Sequence, residues 1–260
     1  MTVMLRRTPV WRGTVPGGLG PTVVTLGVFD GVHRGHARLI GEAVGIGRDR
    51  GLPTVLVTFD PHPARVVGPP RCTDALSTVE RRAELAGELG VDAVCVLSFT
   101  RELAAMSPLD FVARILAGRL RAAAVVVGGN FTFGHRGAGT PDTLRRLGHN
   151  YGFTTHPVDL LPLAGTPCSS THIRSCLRSG DVDGAARALG RPHRVQGVLG
   201  ARGQLSVEPG TAVPAPGLYR GRLTDGEDVV VEVTETGAVV VRAARPRTGP
   251  AAVDFLGVSG

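Results

Sequence analysis

Residues 1–160 switch repeatedly between the two hydrophobic periods available to a folded chain, and this alternation limits the possible folds most. Residues 23–28 are a short β-branched run. Residues 35–50 then carry Leu39, Ala43, Val44 and Ile46 at helical spacing. Residues 54–59 form a second strand candidate. Residues 78–90 read as a helix, with Ser77 able to cap it, Glu80 at its third position and Gly90 to end it. Residues 93–97 are a third strand. Residues 108–119 are a helix with Ser107 as cap and Pro108 at the first position. Residues 122–127 are a fourth strand, 141–150 a helix and 154–158 a last strand. Strands alternating with helices specify an α/β fold, a parallel sheet with helices on both faces. Ligands bind beyond the carboxyl ends of such strands. Residues 29–36, 60–62 and 128–136 are therefore site candidates as a set.

The pattern changes further along. Residues 170–179 and 182–189 form a helical pair split by Gly180 and Asp181. Beyond Arg191, residues 194–199, 218–223, 229–234 and 238–243 are short strands separated by Gly, Pro or Asp-Gly turns. This predicts a first domain over residues 1–190 and a small all-β domain over 191–260. About 70 residues is near the lower limit for an independent core, so the β domain is expected to lean on other elements. Its strands could leave an edge for self-association.

The chain has 260 residues and a formal charge of +7, and all 29 of its basic residues other than histidine are arginine. Without lysine there is no Walker P-loop and no Schiff-base chemistry. The first 190 residues hold an excess of six positive charges and the last 70 an excess of one. Aromatic residues make up 4%, few for a surface that stacks nucleobases. A small polyanion fits this charge as well as a nucleic acid does, and no nucleic-acid partner is expected. Cys72, Cys95, Cys168 and Cys176 form no CxxC pair, which speaks against zinc-finger and thioredoxin readings and for free thiols in a reducing cytoplasm. The N-terminal residues lack an apolar signal core, and no run of 18 apolar residues occurs. A cytoplasmic location without membrane association is the expectation; oligomeric state is not legible.

The strongest chemical signal is Gly27-Val-Phe29-Asp30-Gly31-Val-His33-Arg-Gly35-His36. A strand ends in Gly, Asp and Gly, then HxGH opens a helix. The glycines allow a tight turn and a close backbone approach. Free N–H groups at a helix start favour an anion, and two histidines three apart there can donate to phosphate oxygens.

This block resembles the HxGH nucleotidyltransferases, and GVFDGVHRGH is close to the form found in prokaryotic FAD synthetases, bifunctional riboflavin kinase/FMN adenylyltransferases. The resemblance extends in order through TFDPHP at 58–63, GVDAVCVLSF at 90–99, SPLDFV at 107–112, GGNFTFG at 128–134 and SSTHIR at 169–174. It implies a Rossmann-like nucleotidyltransferase domain followed by a small β-barrel-like domain. It assigns His33, His36 and Arg174 to catalysis on the ATP phosphates. Gly27, Phe29, Asp30, Gly31, Gly35, Ser169, Ser170 and Thr171 would bind nucleotide phosphates. Phe59, Asp60, Pro61, His62, Asn130, Phe131 and Phe133 would shape the flavin site, with Arg136 a second basic candidate. ATP and FMN would be the substrates and Mg²⁺ the cofactor, with no metal site assigned to a side chain. The implied reaction is in-line attack of the FMN phosphate on the α-phosphorus of ATP, with pyrophosphate leaving.

Two departures qualify the resemblance. Gly129 stands where the family usually has an acidic residue nearby, which bears on metal handling or flavin fit. The kinase module begins with a matching GRPHRVQG at 190–197, and Pro216-Gly-Leu-Tyr219 resembles a later strand, but no PTAN block exists. The expectation is an FMN adenylyltransferase with a degenerate kinase-like domain and no riboflavin kinase activity. The alternatives are a related nucleotidyltransferase with another acceptor or nucleotide, CTP included, and a non-catalytic flavin- or nucleotide-binding protein.

Overall fold

The β-branched runs of the first half assemble into a six-stranded, all-parallel sheet in the computed structural model, which describes residues 7–68, 73–159, 168–244 and 247–259. In chain order this unit holds β1 (Val10–Arg12), β2 (Thr22–Leu26), α1 (Arg34–Arg50), β3 (Thr54–Asp60), α2 (Pro63–Val66) and α3 (Val79–Glu88). There follow β4 (Ala93–Ser98), α4 (Arg101–Ala105), α5 (Pro108–Phe111), β5 (Ala122–Gly128), α6 (Pro141–Tyr151) and β6 (Thr154–Val158). The strand order is β1-β4-β3-β2-β5-β6. The order therefore reverses between β2 and β5, the crevice where open α/β sheets bind ligands.

Alternation along each strand splits the core in two. Val23, Leu56, Val94 and Ala124 face Leu39, Ile40 and Ala43 of α1 and Ala83 and Ala86 of α3. Val24, Val55, Cys95 and Val125 face Phe111, Leu116 and Leu144 on the other side. Both faces are covered, as parallel sheets require. The helix ends fall within two residues of those read from sequence, α3 running over Val79–Glu88 rather than 78–90. Ser107 accepts the Asp110 N–H at 3.0 Å, and Thr140 caps α6. Gly51 ends α1 in the left-handed region at φ 63°. The helix expected over 108–119 is wound as a π-helix from Val112 to Arg119. Gly118 permits this, since a Cβ there would lie 2.9 Å from the carbonyl oxygen of Ala113, five residues back.

The second compact unit contains, of the described residues, 73–78 and those from 168 onward. Its helices α7 (Ser170–Arg178) and α8 (Val182–Leu189) precede β7 (His193–Leu199), β8 (Gln204–Val207), β9 (Gly217–Leu223), β10 (Asp228–Val233), β11 (Val239–Arg242) and β12 (Gly249–Val258). The strands close into a barrel in the order β10-β11-β8-β7-β12-β9. Closure leaves no open edge among these strands, which corrects the expectation of an edge free for self-association. Inside, Tyr219, Val231, Val253 and Phe255 pack in one cluster with Ile173, Leu177, Ala185 and Leu189 of the two helices. The small barrel thus leans on α7 and α8.

The period of the sequence does not mark β1, β8 and β12, nor α2 and α4. β1, β8 and the two helices are each five residues or fewer, and β12 is broken by Gly249, Gly257 and a bulge between Phe255 and Gly257. Cys95, Cys168 and Cys176 are free thiols; Cys72 lies outside the described residues. Among those residues no helix is long and apolar enough to cross a membrane.

Candidate active site

The loop after β2 is built from unusual backbone. Phe29, Gly31 and Val32 all have positive φ, at 52°, 78° and 37°. For a β-branched residue such as Val32 this is strained, and such strain concentrates at functional sites. The loop delivers His33 to the N-cap of α1, where its Nδ1 accepts the His36 N–H at 3.2 Å. An imidazole that accepts at Nδ1 carries its proton on Nε2 when neutral. The His36 ring stacks on His33 with centroids 3.6 Å apart, and the edge of Phe29 meets it at 5.1 Å. Burial, then repulsion from the neighbouring His33 imidazole when that ring is protonated and from the Arg82 guanidinium, hold His36 well below the ordinary histidine value. His36 therefore rests neutral, and its Nδ1 is buried without a hydrogen-bond partner.

Beneath the loop lies a buried polar network that the sequence reading missed. Arg82 on α3 and Asp30 are 6% and 2% exposed, with guanidinium and carboxylate 3.7 Å apart. Arg82 also donates to Thr58 Oγ1 at 2.7 Å, and Thr58 donates to the carbonyl of Val28 at 2.7 Å. Burial lowers the Arg82 pKa, while Asp30, Asp60 and Glu80 oppose that shift. The only sequence signal for this residue is an arginine at a core-facing position of a helix.

Beside the loop, at the carboxyl ends of β2, β3 and β5, opens a cavity of about 540 Å³. Gly27 and Val28 form one wall, and Phe59, Phe99, Phe111, Phe131 and Phe133 provide aromatic faces. Phe131 and Phe133 stack at 5.9 Å, and Phe59 and Phe99 meet edge to face at 5.6 Å. Asn130 and Arg136 bring polar groups to the rim. At Gly27 a Cβ would lie 3.2 Å from the Phe29 ring, a tight approach that would press on that ring. Of the expected flavin residues, Phe59, Asn130, Phe131 and Phe133 line this cavity, whereas Asp60, Pro61 and His62 lie outside its lining. Asp60 instead lies 3.7 Å from Arg12, and His62 accepts the Ala64 N–H at 3.1 Å, capping α2.

At position 129 a Cβ would stand 2.8 Å from Asp159 Oδ1, so a carboxylate from the end of β6 borders the space a side chain there would enter. The second phosphate candidate is built within the second unit. Ser169 caps α7 by accepting the His172 N–H at 3.1 Å, and Ser170 and Thr171 follow in the first turn. Arg174 is 6% exposed and donates its Nε–H to the Asp74 carbonyl at 2.7 Å. Among the described residues no group of three or more His, Cys, Asp or Glu side chains could hold a metal ion.

Comparison with known proteins gives a consistent match. A family model described as FAD synthetase covers residues 18–172. A bifunctional riboflavin kinase/FMN adenylyltransferase of Pseudomonas fluorescens is 37% identical over 201 residues, 77% of this chain and 64% of that protein. Its counterpart in Bacillus subtilis is 34% identical over 68% of this chain and 56% of its own length. The chain thus spans less than two thirds of the length of these relatives. A crystal structure described as a macrolide-efflux protein of Streptococcus pneumoniae superposes with a TM-score of 0.81 at 23% identity, covering 96% of this chain and 90% of that one. Likeness at that identity speaks to the fold alone.

Proposed function

The chain belongs to the FAD synthetase family, and from that premise we propose that it transfers AMP from ATP to FMN, releasing pyrophosphate, without phosphorylating riboflavin. The observation that carries this reading is the stacked His33–His36 pair at the start of α1, beside a cavity walled by phenylalanines. An isoalloxazine is a flat aromatic system, and offset stacking on Phe rings suits it. A triphosphate suits the α1 N-terminus, where free N–H groups and two imidazoles can donate.

In this reading the FMN phosphate oxygen forms the new bond to the α-phosphorus of ATP while the bond to the pyrophosphate oxygen breaks. His33 and His36 donate to the phosphates as charge moves onto the leaving oxygen. Ser169, Ser170, Thr171 and Arg174 are taken as a second phosphate-holding group. Residues 1–190 are taken as the transferase module and 191–260 as a kinase-like barrel. Mg²⁺ would supply charge neutralisation on the triphosphate. The loss of kinase activity rests on the missing PTAN block.

The test is to incubate the protein with Mg²⁺, FMN and each nucleoside triphosphate in turn and follow pyrophosphate. Release with ATP and FMN, with FAD formed, is expected. Release only with CTP or with another acceptor moves the chain to a different nucleotidyltransfer, and silence throughout assigns it to binding alone.

A further inference from the structure

In the buried network under the Phe29–Val32 loop, Arg82 and Thr58 carry no role among those assigned above. We propose that Arg82 is a positioning residue for the transferase site, holding the loop that carries His33 and His36 through Asp30 and Thr58. The proposal rests on the adenylyl-transfer reading for its kinetic consequence only.

The geometry shows why arginine is needed. One guanidinium reaches two partners on different segments, Asp30 at 3.7 Å on the loop and Thr58 Oγ1 at 2.7 Å on β3. Thr58 passes the restraint on to the carbonyl of Val28, just before the loop. The positive-φ residues Phe29, Gly31 and Val32 lie between that carbonyl and His33. A strained segment persists only where its surroundings over-determine it, and here the stretch is tied at its entry, Val28, and again at Asp30 within it. A lysine could keep the charge but not the fork.

The same cation acts on His36. The titratable and charged groups around it are His33 on its own helix start, Arg82 on α3 and, through Arg82, Asp30, Asp60 and Glu80. Arg82 is one of the charges that hold His36 neutral. A neutral imidazole is ready to gain a proton when a polyanion arrives, whereas one already charged would lose that differential response.

The experiment compares wild type, Arg82→Met and Arg82→Lys by NMR titration of the His36 ring, assigned with His36→Gln, alongside steady-state kinetics with ATP and FMN. Arg82→Met should raise the His36 midpoint, with burial and His33 still holding it below the ordinary histidine value, and lower kcat by about tenfold or more, since small misplacements at a reacting centre are costly. Arg82→Lys should leave the midpoint in place but still lower kcat, with the KM for FMN within about threefold of wild type. A folded Arg82→Met variant with an unchanged midpoint overturns the proposal, as does wild-type kcat in Arg82→Lys. If Arg82→Met gives no cooperative melt, the lysine variant decides. If the wild type itself turns nothing over, the adenylyl reading fails while the titration still decides the role of Arg82.

Discussion

At the scale of single residues, the site is governed by how charge is held. Two imidazoles stacked 3.6 Å apart repel once both are protonated, and burial adds to that cost. His36 is thus a neutral donor poised beside a helix N-terminus. His36→Ala is expected to cut turnover by about 100-fold or more, the usual scale for one preorganised donor; measuring kcat in the purified variant checks this. The same residue links stability to acidity. Its folded pKa lies below the unfolded value of about 6.5, so the unfolded chain binds more protons between the two values. Its contribution is fully present above about pH 6.5 and is lost as pH falls through the folded pKa. Urea melts at pH 7.5 and 5.5 should show a smaller acid loss in His36→Ala than in wild type. His33 and His36 were legible in the sequence because they sit in a dense block of glycines after a strand. Arg82 was not, because an arginine on a helix in a chain with 29 of them looks like one more solvated cation.

At the scale of elements, the sheet strands and long helices were readable, because β-branched runs and caps leave local marks in the sequence. The loops that shape the cavity were readable only as polar or glycine-rich stretches. Gly134 shows why. It adopts φ 73° and ψ −178°, a region nearly restricted to glycine, and a Cβ there would lie 2.8 Å from Pro108 at the start of α5. That close approach fastens the Phe131–Phe133 wall against α5, and it depends on a contact between residues 26 positions apart, which no local pattern reveals. Gly134→Ala is expected to destabilise the unit by roughly 1–3 kcal/mol and to raise the KM for FMN more than it lowers kcat. Denaturant midpoints and FMN titrations of the variant check both. The Asp60–His62 turn makes the complementary point. Its residues resemble those of a flavin site, yet His62 is spent on capping α2 and only neighbouring Phe59 and Pro63 reach the cavity.

At the scale of the whole molecule, the sequence separated an α/β part from a β part, and both architectures are present. It did not reveal that α7 and α8 share a core with the barrel. Their apolar positions fit either neighbour, and only tertiary packing distinguishes them. The strands close into a barrel although the sequence holds no PTAN block, and a fold by itself does not carry an activity. Purified protein given riboflavin, ATP and Mg²⁺ is expected to form no FMN above background by chromatography, and FMN production would restore the bifunctional reading. The way the barrel closes bears on its assembly in time. Its last strand in sequence, β12, pairs with its first, β7, and with β9, and Arg194 is clamped opposite Asp254 by hydrogen bonds of 2.7 and 2.6 Å. Such non-local pairing pays its loop-closure cost before contacts reward it. On a ribosome, β7–β8 and β9–β10–β11 can pair as they emerge, but the barrel closes only once β12 is out, while the strands of the parallel sheet are already free to pair.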